Sequence, residues 1–136
     1  MAIADTNSIV RTYLITCGTL TALIGGATPR IYCPRLPENA TLPAVSFFTR
    51  GGSSTPYIPG IPSPSVQFDC WASSPITARD VYNKLYDNLQ GLQNHTIGAY
   101  KILSAIEEVQ GQDLVDTEIP NYFRVLTFFS IMIRAE

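Results

Sequence analysis

The chain predicts an α+β domain: a mainly antiparallel sheet of four or five strands with two helices packed mostly on one face. Three observations lead there. Two segments repeat apolar residues at helical spacing, several others alternate or run apolar over strand lengths, and glycine and proline punctuate the joins.

The first helix rests on Val10, Tyr13, Leu14 and Cys17, spaced three, one and three residues apart, with Asp5 or Asn7 to cap it. Gly18 interrupts the stripe, Thr19 to Ile24 add a further turn, and Gly25-Gly26 stop it. Arg30-Ile31-Tyr32-Cys33 and Ala44-Val45-Ser46-Phe47-Phe48 read as short strands, separated by a link containing Pro34, Pro37 and Pro43. From Thr49 to Pro64, four prolines and three glycines argue against both helix and central strand and predict a long exposed loop. It carries Tyr57, Ile58 and Ile61, apolar groups that a solvated linker does not need. With Arg50 these are the candidate interface residues of a binding loop.

Ser65 to Trp71 alternates Val66, Phe68 and Cys70 with polar neighbours, the period of a half-buried strand, and Trp71 falls on the polar face. Ser74 caps a second helix with Pro75 at its first position and Ala78, Val81, Leu85 and Leu89 on one face, ending at Gly91. Tyr100 to Val109 and Tyr122 to Arg134 read as two more strands. In the last, Phe123, Val125, Phe129, Ile131 and Ile133 share one face and Leu126, Phe128 and Met132 the other, which predicts a central strand covered on both sides. No internal repeat stands out, and 136 residues suit a single domain spanning residues 1–136.

Nine basic against eleven acidic residues give a net charge of -2, which announces neither a nucleic-acid binder nor a disordered polyanion. Charged residues make up only 15% of the chain, so part of its surface is expected to face other protein chains. The first five residues lack a basic region, and the apolar run Leu126 to Ile133 is broken by Thr127 and Ser130, so neither secretion nor a membrane span is expected. Cys17, Cys33 and Cys70 form an odd set without a short-spaced pair, which suits free thiols in a reducing compartment and no metal site.

A Ser or Cys triad needs a base, and the single histidine, His95, lies in the polar connection Gln93-Asn94-His95-Thr96. The Gly25-Gly26 and Gly51-Gly52 doublets have no phosphate-loop or dinucleotide spacing and read as turns. Glu107 and Glu108 are neighbours that point to opposite faces of a strand, so they do not make a working carboxylate pair. No catalytic set, cofactor site or metal site is expected, and the chain reads as a non-enzyme. Glu107, Glu108, Asp113, Asp116 and Glu118 form an acidic run with no Lys or Arg between Ile102 and Phe123. It reads either as a solvated hairpin or as an acidic rim, facing a basic partner or a passage that DNA traverses without sticking. Arg30, Arg35 and Arg50 are the candidates for a basic patch.

The order of several motifs carries a resemblance. Arg-Ile-Tyr-Cys-Pro-Arg-Leu-Pro-Glu-Asn-Ala-Thr-Leu-Pro-Ala-Val at 30–45 is followed by Phe68-Asp69-Cys70-Trp71-Ala72, then by Ala78-Arg79-Asp80-Val81-Tyr82 leading to Leu85 and Leu89. With the N-terminal Arg11-x-Tyr13-Leu14 helix, this series resembles the tail completion or tail terminator family of long-tailed phages. The loop at 49–64 and the C-terminal third carry little of that signal. The resemblance implies a structural protein that assembles with itself as a ring, commonly a hexamer, on the last ring of tail tube protein. There it would stop tube growth and offer a surface to a head completion or neck protein. It further implies synthesis in the host cytoplasm, residence in the virion at the head–tail junction, no cofactor, no membrane, and DNA only as passing cargo. The acidic run would then be a candidate channel wall. Two other classes remain: a neck or adaptor protein touching DNA directly, which requires Arg30, Arg35 and Arg50 to cluster, and a small-ligand enzyme, which requires polar groups converging around His95 and the acidic residues.

Overall fold

The computed structural model describes residues 5–26, 28–33, 35–37, 41–53, 61–115 and 122–135. Helix α1, Thr6–Ile15, begins at Asp5, whose carboxylate accepts from the Ser8 amide at 3.5 Å, and buries Ile9, Val10, Tyr13 and Leu14. After Cys17 the chain makes one further turn, α2, Gly18–Thr21. It is released at Gly25 and Gly26, with φ of 121° and 61°. Two strands follow, β1 (Ile31–Tyr32) and β2 (Ala44–Ser53), then β3 (Ser63–Ala72) and α3 (Pro75–Leu89). The chain finishes with β4 (Gln93–Ile97), β5 (Tyr100–Val115) and β6 (Phe123–Ala135).

The strands form one sheet in the order β1-β2-β3-β6-β5-β4, antiparallel throughout except for the β1–β2 pair. Alternation along each strand sends one set of side chains toward the helices. Val45 and Phe47 of β2, Val66, Phe68 and Cys70 of β3, Val125, Phe129, Ile131 and Ile133 of β6, and Ile102 and Ala105 of β5 meet the apolar stripes of α1 and α3 in a single core. Phe47, Phe68 and Phe129 continue ring to ring across three strands at 5.8 and 5.7 Å. Each fully buried side chain of this size is worth about 1.5–3 kcal/mol relative to exposure, so the core is the main force holding the helices to the sheet.

The α+β class and the placement of the helices agree with the expectation, while the element count is larger: six strands and three helices among the described residues. The extra strand, β4, falls on the stretch read as a polar connection. It is an edge strand whose Gln93, Asn94 and Thr96 are exposed, so only half-buried His95 and Ile97 mark its inward side. The segment read as a loop from Thr49 is shorter than expected, because Gly52 pairs with Pro64 and Ser53 with Ser63. Gly51 and Gly52 have φ of 115° and 132° and carry a register shift. A Cβ on Gly52 would fall 2.5 Å from Pro64 Cα, so glycine here allows the two backbones to approach. Among the described residues the central strand β6 is covered on one side only: its second face, with Leu126, Phe128 and Met132, has no helix over it.

Candidate interaction surfaces

On the sheet face away from the helices, aromatic rings and guanidinium groups lie side by side. The Arg50 guanidinium carbon sits 4.1 Å from the Phe128 ring centre, and that of Arg124 sits 5.2 Å from the Trp71 ring centre. Trp71 donates its indole N–H to Ser46 Oγ at 2.9 Å and meets Tyr122 nearly edge-on at 6.2 Å. Between these groups lies Asp69, only 5% exposed. Burial raises its carboxyl above the usual carboxylate range, while Arg124 and the Gln67 amide pull the other way. Arg124 comes within 3.5 Å of Asp69 Oδ1, yet that oxygen receives no hydrogen bond. Ile106 and Met132, 56% and 37% exposed, extend the apolar area along β5 and β6. Of this face, the candidates that the sequence offers are Arg50, as an interface residue, and Glu108, as a member of the acidic run. The available signal was Trp71, a large aromatic on the polar side of an alternating strand.

The three described acidic residues of the run, Glu107, Glu108 and Asp113, do not form one surface. Glu107 points to the helix side, where Tyr82 of α3 donates its hydroxyl to Glu107 Oε2 at 2.6 Å and Thr127 Oγ1 stands 2.8 Å from the same oxygen. The Tyr82 hydroxyl also accepts the Gly111 amide at 3.2 Å, and Gln90 Oε1 accepts the Glu107 amide at 2.7 Å. Burial, with the adjoining carboxylate, pushes the Tyr82 phenol up to about 12. A Cβ at Gly111 would lie 2.8 Å from the Tyr82 ring, which accounts for glycine beneath it. Asp113 pairs with Arg79 of α3 at 3.5 Å. Glu108 lies on the opposite sheet face and accepts the Ser65 hydroxyl at 2.6 Å. Asp116 and Glu118 lie outside the described residues, as do Tyr57 and Ile58; Ile61 is half-buried.

The structure separates the groups required by the two rival classes. Arg30 donates to the Pro43 carbonyl at 2.8 Å at the start of β2, whereas Arg50 lies six residues beyond Ala44, about 20 Å along the strand. His95 packs edge-on against Tyr13 at 4.9 Å, and its β5 partner Ile102 is five residues, about 17 Å, from Glu107. Cys17 and Cys70 are buried and Cys33 is exposed; burial raises all three thiols, and all three are free. Among the described residues no group of three or more His, Cys, Asp or Glu is placed to hold a metal ion, and no helix is long and apolar enough to cross a membrane.

A six-stranded, mostly antiparallel sheet with helices on one face and an arginine–aromatic surface on the other defines the α+β class of this chain. Over 93% of its length it is similar to 92% of a chain in the solved structure described as "Virion of native gene transfer agent (GTA) particle", with a TM-score of 0.63 at 16% sequence identity, a likeness of fold. No family model and no curated protein matches the chain.

Proposed function

We propose that the protein is a structural component of a phage-like virion, and specifically a tail terminator. Copies close into a ring, six by the pattern of the resembled family, that seats on the last ring of tail tube protein. The ring halts tube growth and presents a docking surface to a head completion or neck protein. DNA passes through it as cargo, and the protein has no catalytic function. The observation that carries this reading is the likeness of fold to a chain of a gene transfer agent virion along nearly the whole of both chains. The ordered motifs at 30–45, 68–72 and 78–82 support the tail-terminator assignment, and the uncovered sheet face supplies surface for neighbours.

The test mixes the purified protein with polymerising tail tube protein and follows mass by light scattering and tube length by electron microscopy. Closed rings at one end of tubes of arrested length are expected. A protein that stays monomeric with and without tube, and leaves tube elongation unchanged, would overturn the reading.

A further inference from the structure

The uncovered sheet face has the composition of a binding hot spot, in which Trp, Tyr and Arg carry most of the energy. A guanidinium laid on an aromatic ring keeps its N–H donors in its own plane, free to meet a carboxylate. Arg50 is in that position above Phe128, with no carboxylate partner among the described residues. Four strands about 4.8 Å apart and about nine residues long present on the order of 600 Å², approaching the roughly 800 Å² per partner of a standard interface.

A ring of more than two copies does not pair this face with itself. An isologous contact yields only a dimer; a larger closed ring needs two different surfaces meeting head to tail. The second surface is the exposed side of α3. Asp80, Lys84 and Asp87 are exposed there, and Asp80 and Asp87 lie about 10.5 Å apart along the helix. On the sheet, Phe128 beneath Arg50 pairs with Gln67, whereas Arg124 reaches Asp69 and Trp71. The two guanidinium groups therefore stand two to four residues apart along β3, about 7–13 Å. The sheet thus offers two guanidinium groups, those of Arg50 and Arg124, at a spacing that brackets the distance between Asp80 and Asp87 along the helix.

We propose that the arginine–aromatic face of one copy receives the exposed side of α3 from the next, with Arg50 and Arg124 meeting Asp80 and Asp87. This rests on the ring reading above and assigns its subunit contact.

The test uses Arg50→Glu and the single variants Asp80→Lys and Asp87→Lys, all at exposed positions, with a thermal melt of each to confirm folding. Light scattering follows each under the conditions in which the unaltered protein assembles. Each variant alone is expected to stay monomeric, and Arg50→Glu combined in one chain with whichever aspartate change faces it, which reverses that one pair while Arg124 keeps the other aspartate, to restore the ring. Should Arg50→Glu fail to fold, Arg50→Gln replaces it, with assembly shifted to about tenfold higher concentration. Unaltered assembly of the variants, or no recovery in the combined chain, overturns the subunit contact and leaves the ring reading standing. A protein that never assembles, with tube present, overturns both.

Discussion

Tyr82 shows how one side chain couples a helix to a sheet by polar bonds inside an otherwise apolar contact. Its hydroxyl satisfies Glu107 and the Gly111 amide together, so Tyr82→Phe removes two bonds at once and leaves the amide without an acceptor. The expected loss is about 1–3 kcal/mol, read as a lower urea midpoint near neutral pH. The phenol also has a pH signature. Its pKa in the folded state is raised from 10.0 to about 12, so the folded protein holds this proton more tightly than the unfolded chain. The associated stability is whole below pH 10 and is lost as pH rises toward and through about 12. The difference between the two proteins should therefore shrink across that range; a constant difference from pH 8 to 11.5 would show that the hydroxyl does not titrate as described. The acidic spacing in the sequence did not reveal this role, because a carboxylate serving a helix contact and one facing solvent look alike without the strand register.

Among the elements, α1 and α3 were legible because their apolar stripes fall at 3.6-residue spacing and their starts carry Asp5 and Ser74-Pro75. Strand β4 was not, since an edge strand needs only one inward side and buries little. The outer ends of β2 and β3 were hidden for another reason: Gly51, Gly52 and Pro64 signal a turn by composition, yet here they build a bulged hairpin. Most of the arginine–aromatic face is not legible in the sequence because Arg50 and Phe128 stand on different strands with β3 between them. The ladder from Ala44 opposite Trp71 to Ser53 opposite Ser63 fixes the hairpin register without help from the connecting residues. Replacing 54–60 by a short Gly-Ser turn should therefore cost less than about 1 kcal/mol in stability. If Tyr57 and Ile58 contact a neighbouring chain, the same variant should assemble poorly. A shortened protein that forms rings and completes infectious particles normally would remove the loop from the interface.

For the molecule as a whole, one-sided layering produces two unlike surfaces, an arginine–aromatic sheet and a helix row bearing Asp80, Lys84 and Asp87. A small protein with 15% charged residues can then meet its own copies in a defined direction, because in the proposed contact one surface complements the other. Direction decides whether assembly closes. If the subunit contact proposed here turns each copy by a fixed angle, growth ends when the circle is complete rather than continuing as a fibre.

The place of β6 in the sheet also sets a schedule for synthesis. The hairpins β2–β3 and β4–β5 are made first, but they lie on opposite sides of β6 and share no edge until it arrives between them. Phe68 and Ile102 reach the ribosome surface long before Phe129 and Ile133, their partners in the core. The nascent chain must therefore wait with two separate hairpins whose inner edges, β3 and β5, are unpaired, a state prone to capture by chaperones or by other nascent chains. Arrested chains displaying residues 1–122 should be cut readily by protease, and chains displaying residues 1–136 should resist. Resistance in the shorter chain would mean that the two hairpins can form a stable body without their central strand.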